Sequence, residues 1–269
     1  MITIGIDPNL FQLGPFTVSW HGLLTAVGVL FGVWLAVAIA KRGNSGITED
    51  DVYNMALWVV PGGIIGARLF HVVDKWGYYS LNPGAIFALH DGGLAVMGGI
   101  FGGVVTWLVY SRVKGIAIAP LAAPAAFGLI VGQIIGRMGC IINGDAYGIP
   151  TDLSWAFVYT NPGAYAPLGV PGHPTPVYEI LWDLVVLGGL ILLRRRMNHQ
   201  GAIFLVYMAG YAFGRFFITF LRQNDIIFMG LKEAQLLSLL FMAISIPWLA
   251  YLYLRPARAY PVETRASQP

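Results

Sequence analysis

The residues with the most informative chemistry lie between positions 128 and 148, in the segment GLIVGQIIGRMGCIINGDAYG. An apolar stretch with three glycines runs into Arg137, and polar residues that include Asn143 and Asp145 follow. Because hydrocarbon penalises charge, an arginine at such a boundary is a functional-site candidate. Its guanidinium presents a fixed fork of donors that matches a phosphate, and the most abundant phosphate near a membrane is the lipid head group. The alternative is a snorkelling arginine that anchors a helix end.

A second group of polar residues lies in the sixth apolar segment and comprises Tyr207, Tyr211, Arg215 and Arg222. At about 100° per residue, their spacing predicts that they line one helical face. Arg215 lies inside the apolar segment and therefore needs a partner, a wet cavity or an anionic ligand. Cations from distant parts of the chain at a similar depth suit a phosphate-bearing substrate. The alternative is a structural network of ion pairs, for which the candidate carboxylates are Asp145, Asp183 and Glu179.

Three further segments carry polar residues at suggestive positions. In the second apolar segment, Arg68, His71 and Asp74 broadly share a face, which indicates either an internal ion pair or catalysis. The segment HDGGLAVMGGIFGG begins at His90, and its glycine doublets predict a tight turn at a helix start, with backbone amides available to an anion. The segment HPTPVYE ends at Glu179, where a helix is expected to begin.

The common catalytic motifs are missing. The chain has no HExxH, GxSxG or P-loop, and no cysteine–histidine pair at an informative spacing. Its single cysteine, Cys140, excludes an internal disulfide and a cysteine-rich metal site, and is expected to be a small buried side chain. The sequence thus predicts no metal site and no cofactor. Its basic residues are scattered along the chain and give no support for nucleic-acid binding.

The composition requires a membrane. Hydrophobic residues make up 57% of the 269 residues and charged residues 11%, and the mean hydropathy is +0.68. A soluble fold of this size would need more charge to cover its surface. The sequence predicts an all-α integral membrane protein, a single polytopic domain over residues 1–269. Seven windows approach the length of a spanning helix: Val18–Ala40, Val52–Val73, Leu94–Tyr110, Pro120–Ile135, Val177–Leu193, Ala202–Leu221 and Ala234–Leu254.

Lysine and arginine set the orientation. Ten of them flank one side of the predicted spans and four flank the other, while Arg68 and Arg215 lie inside spans. The positive-inside rule then places the N-terminus outside and the C-terminus in the cytoplasm. Two long loops, at about 74–93 and 136–176, face outward. Glycine pairs at four-residue spacing recur in the spans and predict close packing between helices.

Taken together, these motifs resemble those of the prolipoprotein diacylglyceryl transferase family. The likeness covers nearly the whole chain, and it is carried in order by LGPFTVSWHGLL, GARLFHVV, HDGGLAVMGG, GRMGCIINGDAYG, HPTPVYE and YAFGRFFITFLR. The segment GRMGCIINGDAYG corresponds to the family signature GRxGNFINGExxG. The resemblance implies an enzyme of the bacterial cytoplasmic (inner) membrane. It would move diacylglyceryl from phosphatidylglycerol to the lipobox cysteine of a prolipoprotein, forming a thioether and releasing glycerol phosphate.

The resemblance also implies roles for residues. Arg137 matches the signature arginine and would bind the lipid phosphate, and Arg215 and Arg222 would complete the clamp. The catalytic set is therefore expected to be Arg137, Arg215, Arg222 and Asp145. Phosphatidylglycerol would be bound by Arg137, Asn143, Gly148, Tyr211 and His21. The nucleophilic thiol belongs to the substrate, so one cysteine in the enzyme is no obstacle.

Several positions depart from the family pattern. A family histidine falls on Met97, a tyrosine on His21, the signature asparagine on Cys140 and a carboxylate in the sixth span on Thr219. Either the base is His21, His90 or Asp145, or the thiol ionises in the arginine field without a base. Two alternatives remain: a divergent lipid-binding or lipid-moving relative that keeps the arginine pocket, and a small-solute transporter, which the lack of an internal repeat disfavours.

Overall fold

The computed structural model describes residues 1–14, 16–43, 46–88, 92–197, 199 and 201–254. Within these ranges, seven helices are long and apolar enough to cross a membrane, as the sequence predicts. They are α1 Trp20–Arg42, α2 Glu49–Asp74, α4 Val96–Lys114, α5 Ile118–Asn143, α6 Thr175–Leu193, α7 Ala202–Ile218 and α8 Glu233–Leu254. A one-turn helix, α3 (Trp76–Tyr79), lies between α2 and α4. The predicted tail after Leu254 and the segment around His90 lie outside the described residues.

The fifth helix corrects one predicted boundary. The loop expected at about 136–176 does not begin at Gly136, because α5 continues through Asn143. Met138, Cys140 and the two isoleucines before Asn143 keep the segment apolar enough to extend the helix. Gly144 then ends it in a left-handed conformation (φ 72°), and its N–H donates to the Cys140 carbonyl at 2.9 Å. Arg137 consequently lies two turns inside the helix rather than beyond its end.

Glycines bring pairs of helices into close contact, as their four-residue spacing predicts. On the α1–α5 seam, a Cβ at Gly32 would lie 2.6 Å from the Gly128 carbonyl oxygen, and one at Gly28 would lie 2.8 Å from that of Gly132. The α2–α4 seam uses Gly62 and Gly66 against Gly98 and Gly102 in the same way. Backbones that approach this closely leave no room for a side chain, which accounts for the small residues.

The chain is not wholly helical. Within the described residues, three two-stranded sheets lie outside the long helices: β1 (Ile2–Ile4) with β4 (Phe157–Tyr159), β2 (Asn9–Leu13) with β3 (Phe16–Ser19), and β5 (Ile226–Phe228) with β6 (Leu231–Lys232). The protein is therefore mostly helical, and the expectation of an all-α protein holds for the spans but not for the segments outside them. Backbone polar groups in long ordered connections need partners, and strand pairing supplies them. The parallel β1–β4 pair joins the N-terminal segment to the α5–α6 connection.

Arg68 organises the first of the two long connections. It is 6% exposed, and its guanidinium donates to five carbonyl oxygens, those of Ala85, Ile86, Ala88, Gly92 and Gly93, at 2.6–3.1 Å. The ion pair considered between Arg68 and Asp74 is absent, and Asp74 instead pairs with Lys75 at 3.1 Å. Backbone carbonyl oxygens in the ordered connection after α2 need hydrogen-bond donors, and the Arg68 guanidinium supplies them.

Candidate active site

Three arginines converge on one buried carboxylate. Glu179 is 4% exposed and forms ion pairs with Arg137, Arg215 and Arg222. Arg137 Nε lies 2.5 Å from Glu179 Oε2, and Arg222 Nη1 lies 3.1 Å from Oε1. Arg215 Nη1 binds the same Oε1. The cations singled out in the sequence are thus brought together, and the carboxylate that joins them is one of the three named as possible ion-pair partners.

Three helix ends supply these side chains. Arg137 lies near the end of α5, Glu179 near the beginning of α6, and Arg215 in the last turn of α7. A shared apolar core holds the three helices together, and it includes Phe127, Ile130, Leu190, Ile203 and Tyr207. Because the core is buried and well packed, the charged ends above it are fixed relative to one another.

Arg222 reaches the site by a route that helical periodicity does not predict. The α7 helix ends at Ile218, a 3-10 turn covers Thr219–Leu221, and Arg222 itself is extended (φ −86°, ψ 148°). It therefore does not share a helical face with Arg215, although both reach Glu179. Its Nε donates to Asn224 Oδ1 at 3.2 Å. Burial, and then the charge of Arg215, lower the pKa of Arg222 from its usual range, while Glu179 opposes that change.

Backbone contacts hold Arg222 in place. Lys232 Nζ donates to the carbonyl oxygens of Thr219 at 3.0 Å and Arg222 at 2.5 Å. On the other side, Ile149 N–H donates to the Leu221 carbonyl at 2.8 Å, and residues 148 and 222 form an isolated antiparallel bridge. The segment after α5 is therefore tied directly to the segment after α7.

The cluster carries excess positive charge. Three guanidiniums contact one carboxylate, and each guanidinium has five N–H donors, only some of which face Glu179. Asp183, one turn further along α6, is 1% exposed and its Oδ2 has no hydrogen-bond partner among the described residues. An anion that binds between the arginines would meet unused donors in a site of low dielectric constant.

A cavity of about 470 Å³ leads to this cluster. It runs between α1, α2 and α5, from Leu121 and Pro124 at one end to Gln133, Arg137 and Cys140 at the other. At 1.5 Å per residue, the stretch of α5 from Leu121 to Cys140 is about 28 Å long, close to the thickness of the hydrocarbon layer. A long apolar cavity with a cation at one end has the form of a lipid site.

The polar end of the cavity contains a pair that sequence spacing does not show. His21 Nδ1 lies 3.7 Å from Cys140 Sγ, and Arg137 Nη1 lies 3.7 Å from the same sulfur. Cys140 is buried, as expected, but it sits between an imidazole and a guanidinium. Asp145 is exposed and lies near His21 and Cys140. It is not one of the carboxylates that pair with the arginines.

The remaining predicted site residues surround the cluster. Tyr211 stacks on Tyr207, with ring centroids 6.2 Å apart, and lies near Arg137. Asn143 is buried at the end of α5, and its carbonyl accepts from the Tyr165 N–H at 3.1 Å. A Cβ at Gly148 would lie 2.6 Å from the His173 carbonyl oxygen and 2.8 Å from that of Leu221, so only glycine fits there.

A tyrosine outside the spans fixes the end of α5. The Tyr159 hydroxyl donates to the Ile141 carbonyl at 2.8 Å. Burial, and then the charge of Asp145, raise the pKa of Tyr159, so the hydroxyl keeps the proton that it donates. This contact ties strand β4 to the last turn of α5, close to Arg137.

A second, smaller cavity lies in the connection after α5. Its volume is about 170 Å³, and its lining includes Tyr147, Gly148, Phe157, Val170, His173 and Gln223. Because Gly148 also bridges to Arg222, this cavity adjoins the arginine cluster from the loop side. The two cavities thus approach the cluster from different directions.

Comparison with known proteins gives a consistent result. The family model of prolipoprotein diacylglyceryl transferase matches residues 8–251. The chain belongs to this family. A phosphatidylglycerol–prolipoprotein diacylglyceryl transferase of Dehalococcoides mccartyi is 39% identical over 252 residues, covering 93% of this chain and 95% of the relative. Relatives of the same name from Clostridioides difficile and Lysinibacillus sphaericus are 37% and 34% identical, and cover 87% and 97% of this chain.

The positions that the sequence predicts to depart from the family pattern lie in different parts of the structure. Met97 lies in the first turn of α4, a helix that packs against α2. Thr219 is fully buried, and its hydroxyl donates to the Arg215 carbonyl at 2.5 Å, so it stabilises the end of α7. The carboxylate that contacts the arginines is Glu179 on α6.

Sequence reasoning missed the central position of Glu179 and the support from Lys232. The sequence predicts Glu179 only as a possible ion-pair partner of the arginines, although its position near the start of an apolar helix, after two prolines, also makes it a candidate for a buried charge. No sequence pattern assigns a role to Lys232. Its contacts are with backbone carbonyls, and a sequence pattern carries no signal for those.

Proposed function

We propose that this protein transfers the diacylglyceryl group of phosphatidylglycerol to the cysteine thiol of prolipoproteins, in the cytoplasmic membrane of a bacterium. The observation that carries the proposal is the convergence of Arg137, Arg215 and Arg222 on Glu179, next to a long apolar cavity whose polar end Arg137 lines. The relatives that are named for this reaction support it.

The reaction forms a sulfur–carbon bond and breaks the bond between the glyceryl carbon and a phosphate oxygen. Negative charge develops on the departing glycerol phosphate, so catalysis rests on stabilising that charge. Arg137 lines the cavity and binds the lipid phosphate, while Arg215 and Arg222 supply further positive charge across Glu179. Glu179 holds the guanidiniums in place before the lipid binds, which reduces the reorganisation needed during the reaction.

The other predicted residues complete the site. Tyr211 and Asn143 shape the region around the head group, and Gly148 keeps the loop close to Arg222. His21 lies at the polar end of the cavity, with Asp145 nearby, and this pair is the acceptor for the thiol proton among the described residues. His90, the other candidate acceptor, lies outside those residues.

The orientation follows from the charges at the helix ends. Lys41 and Arg42 end α1, Arg112 and Lys114 end α4, and three arginines follow α6. Seven spans that alternate in direction place these ends on one side, which the positive-inside rule assigns to the cytoplasm. The N-terminus, the arginine cluster and both long connections then face outward. The prolipoprotein approaches from there, through the smaller cavity.

The test is transfer by the purified protein in micelles that contain phosphatidylglycerol, with a lipobox peptide whose mass is measured. We expect a diacylglyceryl mass increment, and a loss of about 100-fold or more in the rate for Arg137→Ala. Arg137→Lys keeps the positive charge but not the planar guanidinium that binds a phosphate with two hydrogen bonds, so it should recover only part of the rate. The matched control is Arg112→Ala, which changes an exposed arginine in the last turn of α4.

Two results would overturn the proposal. Near-normal transfer by Arg137→Ala would refute the role of Arg137 in binding the phosphate. Intact phospholipid recovered with the protein, and no thioether on the peptide, would identify a lipid-binding relative that lacks the transfer activity.

A further inference from the structure

Three potential metal ligands meet at the polar end of the large cavity. They are His21, in the first turn of α1, Cys140, in the last turn of α5, and Asp145, just after α5. Their ligand atoms all lie within 4.8 Å of one another. The sequence gives no hint of this group, because 119 positions separate His21 from Cys140.

The local fold explains why they meet. Gly139 lets α5 approach the start of α1, since a Cβ there would lie 2.8 Å from His21 Cα. Gly144 then reverses the chain with a positive φ of 72°, and this reversal returns Asp145 towards Cys140. The arrangement is therefore fixed by backbone packing on both sides of Cys140.

The spacing and ligand types fit zinc. A tetrahedral zinc ion with a sulfur ligand at about 2.3 Å and a nitrogen ligand at about 2.0 Å separates those two atoms by about 3.5 Å. The observed distance from Cys140 Sγ to His21 Nδ1 is 3.7 Å. One thiolate, one imidazole and one carboxylate make a donor set that favours zinc over magnesium or calcium.

The charges also permit a dication. A deprotonated Cys140 and Asp145 supply two negative charges, which match the two positive charges of the ion. The Arg137 guanidinium lies 3.7 Å from Cys140 Sγ, and its Nε is paired with Glu179, so part of its positive charge is already compensated beside the site. Asp145 is exposed, so an ion can reach the group from the aqueous side.

We propose that His21, Cys140 and Asp145 form a zinc site whose occupation inhibits lipid transfer. The bound ion would occupy the space beside Arg137 at the polar end of the cavity. It would also coordinate the His21 imidazole, which is then not free to accept a proton. Inhibition rests on the proposed transferase function, whereas binding of the metal does not.

Cobalt replaces zinc as a spectroscopic probe of binding. The full-length protein, purified without a histidine tag, is titrated with Co²⁺ in micelles. Because Cys140 is the only cysteine in the sequence, a thiolate-to-cobalt charge-transfer absorption can come only from this residue. We expect the absorption in the wild type, its loss in Cys140→Ser, and its displacement by Zn²⁺.

Variants of the other ligands test the donor set. His21→Gln and Asp145→Asn should each weaken cobalt binding by about 10-fold or more, whereas His199→Gln, at a histidine far along the chain, should leave it unchanged. No charge-transfer absorption in the wild type would overturn the site. An affinity unchanged in His21→Gln, or lowered equally in His199→Gln, would overturn the ligand set.

Inhibition is measured as the ratio of transfer rates with and without Zn²⁺. We expect saturating zinc to lower the wild-type rate by about 10-fold or more, and to leave the ratio near one in Cys140→Ser. An unchanged wild-type rate in the presence of zinc would refute the inhibitory role. A protein that binds cobalt but transfers no lipid would instead show that the proposed function, and not the metal site, is at fault.

Discussion

Arg222 Nη1 lies 3.1 Å from Glu179 Oε1, so the chain that leaves α7 is joined to the first turns of α6 across 43 positions of sequence. Arg137 and Arg215 bind the same carboxylate from two other helices. One side chain therefore determines the distance between three cations. This makes Glu179 the residue whose removal should affect both stability and activity.

Glu179→Gln keeps the shape of the side chain but removes its charge. The three guanidiniums would then repel one another in a buried site, and we expect a loss of about 3–5 kcal/mol in stability together with a strong loss of transfer. Thermal unfolding in detergent and the peptide assay measure the two effects. Glu233→Gln, at an exposed carboxylate at the start of α8, should change neither. A Glu179→Gln protein with wild-type stability would contradict this account of the cluster.

Lys232→Met should lower transfer without preventing insertion of the protein. Lys232 Nζ binds the carbonyl oxygens of Thr219 and Arg222, so its loss frees the segment that places Arg222. We expect a rate about 10-fold lower, partly restored in Lys232→Arg, which keeps donors at the same place. Lys114→Met, at an exposed lysine, is the control. Equal rates for the two methionine variants would rule out this positioning role.

Val33→Trp should obstruct the large cavity. Val33 lines it on α1, and an indole there would compete with an acyl chain for the same space. The expected result is a KM for phosphatidylglycerol about 10-fold higher, with an unchanged KM for the peptide. Leu184→Trp places the same ring on the exposed face of α6 and serves as the comparison. An unaltered lipid KM would show that the lipid binds elsewhere.

Val170→Trp tests the smaller cavity in the same way. Val170 lines that cavity, which adjoins the arginine cluster through the Gly148–Arg222 bridge. Here the KM for the lipobox peptide should rise about 10-fold while that for the lipid stays constant. Ile227→Trp, on the exposed strand β5, provides the control. If the lipid KM rises instead, the assignment of the two cavities is reversed.

Arg68→Lys should loosen the connection between α2 and α4. The lysine ammonium has fewer N–H donors than the guanidinium, which reaches five carbonyl oxygens. Losing one charge-assisted hydrogen bond of about 1.5 kcal/mol should speed amide hydrogen exchange in this connection about 10-fold. Hydrogen exchange measured by mass spectrometry over residues 83–88 reports the change. Arg112→Lys should leave that region as protected as in the wild type.

The sequence by itself determined the seven spans, because their length and hydropathy are set by the thickness of the membrane. It also determined the glycine seams, since four-residue spacing places small side chains on one helix face. The three arginines of the cluster were identifiable for the same kind of reason, because a charge within or beside an apolar helix is costly and needs a partner or a ligand.

Only the tertiary structure decided which groups meet. Arg222 lies after a 3-10 turn, so it does not share the face of α7 that its spacing predicts, although it contacts the same carboxylate as Arg215. The central place of Glu179, the His21–Cys140 contact and the support from Lys232 join residues that are distant in sequence. Local periodicity reports which face a residue occupies on its own helix. Which faces then come together depends on the packing of several helices and their connections, and no single stretch of sequence contains that information.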